Sequence, residues 1–302
     1  MTVAVHVGPE PDPEILAAVR EGGGVPADAD DAEAIVWLGD EPAVLAPRLN
    51  PRVQWVQLAH AGVERWLASG LIDGERIWTS AAAVFSAQVA EHALALILAA
   101  MRRLGESARA EHWEERYGQL LAGSNVLIVG AGGIGRALID LLGPFGVEIV
   151  AVTRRGLPVP GAQRTVACGD GVEDLWPHAD VVVLAAPSTA ATRHLIDERV
   201  LRAMPSSSVL VNVARGSLID TDALVRALDD GWIGAAALDV CDPEPLPDRH
   251  PLWHHPRAII TPHAATIPDL ISSAMAPRVR ENVHRFRTGE RLLGVIDPER
   301  GY

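Results

Sequence analysis

Three side chains that can hold charge or transfer protons each follow a short apolar run in the second half of the chain. They are Arg215, Glu244 and His263, after the runs Val209–Val213, Ala235–Val240 and Ala258–Thr261. Ligands bind outside the carboxyl ends of parallel strands, so we expect the three side chains to share one site. Arginine holds a carboxylate and polarises a carbonyl, histidine transfers protons near neutral pH, and a neighbouring glutamate favours the protonated ring. Together they predict acid–base chemistry on a carbonyl compound, although each residue alone also fits a plain surface or loop role.

A glycine-rich turn precedes these residues in the chain. Residues 126–135 read Val-Leu-Ile-Val-Gly-Ala-Gly-Gly-Ile-Gly, an apolar strand that continues into Gly-x-Gly-x-x-Gly. In this pattern glycines permit a tight turn and a close approach of the backbone to a pyrophosphate, which the next helix attracts with its N-terminus. The pattern is weak alone and stronger between a strand and a helix. It predicts a dinucleotide site at Gly130, Gly132, Gly133, Ile134 and Gly135.

The next predicted strand, Val147–Val152, ends beside the position of the adenosine ribose. NAD-binding sites usually place Asp or Glu there, to hold the ribose 2′-hydroxyl. This chain has Thr153, Arg154 and Arg155 instead. Arginine forks suit a 2′-phosphate, so the segment favours NADP(H), with NAD(H) as the alternative. Both arginines could also simply face solvent.

Short apolar runs alternate with helical patterns along the whole chain, which indicates a parallel α/β architecture. The first part predicts strands Val3–Val7, Ala34–Leu38 and Val53–Leu58, with helices Pro13–Arg20, Pro42–Leu49 and Val63–Ser69. A long apolar helix, Ser86–Leu104, then leads to a doubly wound, Rossmann-type sheet. A last helix near Asp269–Thr288 could return to the first domain and make it discontinuous. We predict a substrate domain at residues 1–97 and 286–302 and a dinucleotide-binding domain at residues 98–285.

The composition excludes several functional classes. The chain has 302 residues, of which 48% are hydrophobic and 22% charged, as in an ordinary soluble globular protein. Its net charge of -13 argues against general nucleic-acid binding and against an anionic membrane surface. The two cysteines form no metal-binding spacing, and no metal site is expected. We expect a cytoplasmic protein without a membrane partner.

Several further segments resemble the D-isomer-specific 2-hydroxyacid dehydrogenases. In addition to the glycine turn, the matching stretches are Val-Asn-Val-Ala-Arg-Gly-Ser-Leu-Ile-Asp from residue 211, Ala-Leu-Asp-Val-Cys-Asp-Pro-Glu-Pro-Leu-Pro from residue 237 and Thr-Pro-His-Ala-Ala from residue 261. The stretch from Ala185 to Ile196 resembles the cofactor loop of that family, and Val89-Ala-Glu-His-Ala-Leu-Ala-Leu resembles its interdomain helix. The resemblance covers nearly the whole chain in the right order.

The resemblance implies a role for each matching residue. Arg215 binds and polarises a 2-oxo acid, His263 is the acid/base, and Glu244 is the partner of His263. Further cofactor contacts are implied at Ala186, Pro187, Thr192, Val213, Ala214, Asp239 and Ala265. The backbone amides of Ala61 and Gly62 are implied to hold the substrate carboxylate. The resemblance also implies a flavodoxin-like substrate domain and a homodimer formed mainly through the nucleotide domains.

Two of these assignments have a plain alternative, and one neighbouring residue has no assigned role. The Ala61–Gly62 segment could be a simple turn into a helix. Asp239 could cap a strand-to-loop turn instead of contacting the nicotinamide amide. His60 stands where the family often has a smaller polar residue, so its role stays open.

The sequence therefore predicts an oxidoreductase that transfers a hydride between NADP(H) and a small 2-oxo or 2-hydroxy acid, similar to glyoxylate and hydroxypyruvate reductases. One alternative is an NAD-dependent D-2-hydroxyacid dehydrogenase working in the oxidative direction. An alternative of another class is a dinucleotide-sensing binding protein, because this fold also serves as a scaffold for partners.

Overall fold

The computed structural model describes residues 2–299, which form two compact units. The first unit contains the described residues up to Phe85 and from Thr266 onward, and the second runs from Ser86 to Ala265. The predicted boundaries, after residues 97 and 285, fall inside two helices that the structure keeps whole. Helix α4 (Ser86–Met101) packs on the sheet of the second unit, and helix α9 (Ile271–Thr288) packs on helix α1 (Pro13–Glu21) of the first. The packing of each helix against one unit sets the boundary.

A five-stranded sheet forms the centre of the first unit. Its strands are β1 (Val3–Gly8), β2 (Gly24–Pro26), β3 (Ala34–Trp37), β4 (Trp55–Leu58) and β5 (Ile77–Thr79). They are all parallel, in the order β2-β1-β3-β4-β5, which is the flavodoxin-like order that the sequence analysis expected. Strand β3 is apolar and buried at all four positions, because helices cover both faces of such a sheet.

Two short helices, α2 (Pro42–Leu45) and α3 (Glu64–Ala68), complete the first unit with α1 and α9. A buried polar contact ties α9 to the sheet. Asn282 on α9 donates to Oε1 of Gln57 at 2.8 Å and accepts the N–H of Leu293 at 2.8 Å. Because both side chains are fully buried, this pairing satisfies amides that would otherwise be costly. The last helix thus belongs to the first unit and makes that unit discontinuous.

The second unit contains a seven-stranded parallel sheet in the order β12-β11-β10-β9-β6-β7-β8. Its strands are β6 (Asn125–Val129), β7 (Glu148–Thr153), β8 (Arg164–Ala167), β9 (Val181–Leu184), β10 (Val209–Asn212), β11 (Ala235–Leu238) and β12 (Ala258–Ile260). With α4, its helices are α5 (Leu104–Ala108), α6 (Gly133–Leu142), α7 (Glu198–Ala203) and α8 (Thr221–Asp230). From β6 the chain builds the sheet in one direction through β7 and β8, and then continues in the other direction from β9. The strand order therefore reverses between β6 and β9. That switch point is where Rossmann sheets bind their ligands.

Strands β2, β5 and β8 were not predicted. Each is three or four residues long and lies at the edge of its sheet. An edge strand needs only one neighbour, so it carries little of the apolar pattern that marks a central strand. The predicted helix Pro42–Leu49 is also shorter, because it ends as α2 and continues as a 3-10 turn over Ala46–Arg48.

Candidate active site

The glycine turn joins β6 to α6, and the three glycines of its Gly-x-Gly-x-x-Gly pattern meet different steric demands. Gly130 has φ +98°, and a side chain there would contact the backbone of Ala185. A methyl group at Gly135 would overlap the carbonyl of Gly130. Gly132 instead faces open space, with no atom within 4 Å of the position that a β-carbon would take. The first and third glycines therefore let the turn pack, and the second leaves room for a ligand.

This turn fits the pyrophosphate of a dinucleotide. Gly132 is the N-cap of α6, and no described side chain accepts from the first N–H groups of that helix. The helix is ten residues long, and Gly133, Ile134 and Gly135 are its first three residues. Open N–H groups at a helix N-terminus attract anions through hydrogen bonds and through the helix dipole. These residues could therefore hold the negative phosphates directly at the switch point of the sheet.

Strand β7 ends at Thr153, one residue later than predicted. The hydroxyl of Thr153 accepts the N–H of Gly156 at 3.1 Å and closes a turn that presents Arg154 and Arg155. Both arginines are exposed. The tip of β7 therefore carries two cations where an NAD site carries an acid.

The loop after β9 is held in a compact turn. The Thr192 hydroxyl donates to the carbonyl of Pro187 at 2.7 Å and accepts the N–H of Thr189 at 2.8 Å. The hydroxyls of Ser188 and Ser217 lie 2.9 Å apart and connect this loop to the turn after β10. Thr192 thus shapes the loop in which Ala186 and Pro187 are predicted to contact the cofactor.

Arg215 lies in the turn after β10, which a buried asparagine holds. Asn212 donates to the carbonyl of Arg215 at 2.8 Å and accepts the N–H of Ala214 at 3.0 Å. A side chain at Gly216 would overlap the backbone of Cys241, so only glycine allows this close approach of two loops. Val213 and Ala214 are buried, whereas Arg215 is partly exposed. The fold therefore presents the guanidinium at the carboxyl edge of the sheet.

Asp239 anchors the turn that carries His263. Its side chain is 2% exposed and accepts from the Thr261 hydroxyl at 2.6 Å and from the N–H groups of Ala264 and Ala265 at 2.8 and 3.2 Å. The N–H of His263 donates to the Asp239 carbonyl at 2.8 Å. The turn-capping role that the sequence analysis left open for Asp239 is therefore present in the structure.

Glu244 and His263 form a hydrogen-bonded pair. Nδ1 of His263 lies 2.6 Å from Oε1 of Glu244, and the two side chains remain 53% and 43% exposed. The hydrogen bond that His263 donates to Glu244 raises the pKa of His263 above its ordinary value, and the same bond lowers the pKa of the Glu244 carboxyl. An ionised carboxylate only accepts, so Nδ1 carries a proton. Nε2 is then the nitrogen that can transfer a proton to a substrate.

In the first unit, Ala61 and Gly62 lie between β4 and α3. No described residue accepts the N–H of either one. The carbonyl of the preceding His60 accepts the N–H of Ala81 at 2.8 Å and so fixes the start of this segment. Burial lowers the pKa of His60 and favours its neutral ring. The segment can therefore offer two backbone donors to an anion.

Sequence reasoning missed three residues that build this site: Asn212, Thr261 and His92. Asn212 and Thr261 were included in predicted strands. The one signal of a capping role was that each is a polar residue at or next to the end of an apolar strand. His92 lies on an apolar helix, and its Nε2 lies 2.9 Å from the Thr261 hydroxyl, 169 positions away in the chain. Such a distant contact leaves no local pattern in a single sequence.

Comparison with known proteins places the chain in a family. The sequence-family model described as "D-isomer specific 2-hydroxyacid dehydrogenase, NAD binding domain" matches residues 94–265. The chain belongs to this family. It is therefore an oxidoreductase that uses a nicotinamide dinucleotide, and the alternative of a dinucleotide-sensing protein is set aside.

Individual relatives match over much of the chain. A glyoxylate reductase from Aeropyrum pernix is 35% identical over 238 residues, which cover 73% of this chain and 69% of that protein. A protein from Corynebacterium melassecola described as "Uncharacterized protein in proB 3'region" is 40% identical over 96% of this chain and 97% of its own length.

A solved member of the family has the same fold. The D-isomer specific 2-hydroxyacid dehydrogenase from Xanthobacter autotrophicus Py2, in complex with NADPH and MES, covers 100% of both chains with a TM-score of 0.86 and 26% identity. The likeness supports the Rossmann-type and flavodoxin-like assignments made above. None of the helices within residues 2–299 combines the length and the apolar character of a membrane-spanning segment.

Proposed function

We propose that this dehydrogenase reduces a small 2-oxo acid to the 2-hydroxy acid with NADPH, as a glyoxylate or hydroxypyruvate reductase does. The observation that carries the proposal is the hydrogen bond between Glu244 and His263, at the same sheet edge as Arg215 and the glycine turn. In this proposal the glycine turn binds the dinucleotide, and the backbone N–H groups of Ala61 and Gly62 bind the carboxylate of the substrate.

Arg215 prepares the carbonyl group of the substrate. Its planar guanidinium donates several hydrogen bonds in a fixed geometry, which suits a 2-oxo acid whose carboxylate and carbonyl oxygens lie side by side. Donors directed at the carbonyl oxygen stabilise the negative charge that develops there. The Asn212 clamp limits the positions of the Arg215 backbone, so the guanidinium starts from a defined point.

His263 supplies the proton. A nicotinamide dinucleotide held by Gly132, Gly133 and Ile134 would supply the hydride for the carbonyl carbon of the substrate. The electron pair of the carbonyl double bond moves to the oxygen, and Nε2 of protonated His263 gives that oxygen its proton. The ring is left neutral, and Glu244 stays ionised throughout. Glu244 keeps the ring oriented and raises the fraction of protonated ring at a given pH.

The preference for NADPH rests on Arg154 and Arg155. Two cations at the tip of β7 attract the 2′-phosphate, and the absence of a carboxylate in the 153–156 turn removes the usual partner of the 2′-hydroxyl. NADPH is the cofactor in the complex of the Xanthobacter relative. The remaining predicted contacts, from Ala186, Pro187, Thr192, Val213, Ala214, Asp239 and Ala265, belong to this proposal, as does a cytoplasmic location.

The function is tested by following nicotinamide oxidation with glyoxylate, hydroxypyruvate, pyruvate and a bulkier 2-oxo acid, each with NADPH and with NADH. We expect the highest kcat/KM with NADPH and one of the small acids. Faster turnover with NADH, or in the direction of 2-hydroxy acid oxidation, would instead support the NAD-dependent alternative.

The pH dependence of reduction follows from the Glu244–His263 pair. Reduction consumes the protonated ring, so kcat/KM is high below the pKa of His263 and falls as the pH rises through that raised pKa. In Glu244→Gln the carboxylate that raises the pKa is absent, and we expect the falling limb to move to lower pH. A limb at the same pH in both proteins would show that His263 is not the group being titrated.

We also propose a homodimer, supported by exposed apolar side chains in the segment between α5 and β6. Trp113, Tyr117 and Leu120 are 97%, 77% and 72% exposed. Large apolar side chains gathered in one exposed segment mark an interaction surface.

We expect light scattering to give twice the mass of one chain, and the double variant Trp113→Asp and Tyr117→Asp to shift the protein toward monomer. The matched control is Val44→Asp, an exposed apolar site in the first unit. A double variant that stays dimeric would contradict the proposal that this segment forms the dimer interface.

A further inference from the structure

Helix α4 brings a histidine to the turn that carries His263. Nε2 of His92 lies 2.9 Å from the Thr261 hydroxyl and 3.2 Å from Oδ1 of Asp239. The Thr261 hydroxyl lies 2.6 Å from the same Oδ1 and donates its single hydrogen to it. Its oxygen is therefore left to accept, which requires a proton on Nε2 of His92. His92 thus donates into the Asp239–Thr261 pair.

The turn that receives this contact has an unusual backbone. His263 has φ +52°, in the left-handed region that residues other than glycine rarely adopt. Its N–H donates to the carbonyls of Asp239 and Thr261 at 2.8 and 3.0 Å, while the Asp239 carboxylate accepts the N–H of Ala264. Asp239 and Thr261 therefore hold the backbone on both sides of His263.

The position of His92 on its helix is informative. Val89 and Leu96 are buried on α4, which packs on β10, β11 and β12. His92 is three residues after Val89 and four before Leu96, so it lies on the same stripe of the helix. A polar ring on the apolar stripe of a helix loses contact with water, and this costs free energy unless its N–H donates a hydrogen bond. Here its Nε2–H is used at the Asp239–Thr261 pair.

We propose that His92 is a positioning residue for the proton transfer by His263. Its Nε2–H fixes the Asp239–Thr261 pair, and this pair holds the His263 backbone in its left-handed conformation. Glu244 fixes the same histidine from the ring side. The two contacts act separately, because Glu244 orients the ring of His263 through Nδ1, whereas His92 positions the backbone of His263 through Asp239 and Thr261. The inference rests on the proposed role of His263.

The test compares His92→Leu with His92→Gln. The leucine variant removes the donor, whereas the amide nitrogen of glutamine can replace Nε2–H. Losing a hydrogen bond to a charged group corresponds to a loss of about tenfold to a hundredfold in kcat. We expect that loss in His92→Leu, with an unchanged KM and an unchanged Kd for NADPH, and recovery to within about threefold in His92→Gln. Thr261→Val and Thr261→Ser form a second pair with the same expectation.

Glu91→Leu, an exposed neighbour on α4, is the control for changes in the helix itself. Full kcat in His92→Leu would overturn the inference, as would equal losses in the leucine and glutamine variants. A weaker Kd for NADPH that accounts for the whole loss would assign His92 to the cofactor side of Asp239 and would also overturn it. Each of these outcomes is distinct from a failure of the proposed function, in which His263→Ala itself keeps its turnover.

Discussion

His263→Ala is expected to lower kcat for 2-oxo acid reduction by about a hundredfold to ten-thousandfold, the usual contribution of a positioned general acid. Without the imidazole, the carbonyl oxygen must take its proton from water as the hydride arrives. Binding of the dinucleotide is expected to persist, because the glycine turn and the tip of β7 are left unchanged. Steady-state kinetics and fluorescence titration with NADPH measure the two effects separately.

His178→Ala is the matched control, since that histidine is exposed in the same unit and far along the chain from the predicted site residues. It should keep full activity. His263→Gln retains a polar side chain of similar length and should be nearly as slow as the alanine variant. Turnover in His263→Ala close to that of the unchanged protein would remove the acid–base role from this residue.

Replacing Arg154 and Arg155 by alanine is expected to weaken use of NADPH selectively. A hydrogen bond to a charged group contributes roughly 1.5–3 kcal/mol, so each arginine that binds the 2′-phosphate should be worth about tenfold to a hundredfold in kcat/KM for NADPH. NADH lacks that phosphate, and its kcat/KM should change little. The quantity to measure is the ratio of the two kcat/KM values in each single variant and in the double variant.

Arg164→Ala makes the same change of charge at the start of β8, away from the tip of β7. It should leave the ratio unchanged and so corrects for the general loss of positive charge. An unaltered ratio in the double variant would mean that Arg154 and Arg155 do not read the phosphate, and the NAD-dependent alternative would then gain support.

The elements that could be predicted from the sequence are those with local signals. The glycine turn combines a buried strand, a required positive φ at Gly130 and a helix start within ten residues. Helix α8 begins after Asp220, whose carboxylate accepts the N–H of Ala223, and is capped at its C-terminus by Gly231 with φ +74°. In both places a short stretch of chain contains the whole physical reason for the structure.

The rest depends on contacts between distant parts of the chain. The domain boundaries were misplaced because α4 and α9 are assigned by what they pack against, which their own residues do not state. His92 shows the same limit within the site, because its contact with Thr261 forms only where α4 meets the turn after β12. Arg215, Glu244 and His263 were grouped because parallel strands bring their carboxyl ends to one edge of the sheet. The structure places Glu244 and His263 in hydrogen-bond contact, and their catalytic roles stay predictions.

The proposed reaction is hydride transfer from NADPH to the carbonyl carbon of a small 2-oxo acid. The most direct measurement uses NADPH that carries deuterium on the transferable position of C4, with hydroxypyruvate or glyoxylate as the acceptor, and analyses the product by mass spectrometry and chiral chromatography. We predict a 2-hydroxy acid with one deuterium at C2 for each NADPH consumed, and the D configuration where C2 is a stereocentre. A product without deuterium at C2, or no product alongside tight NADPH binding, would contradict the account.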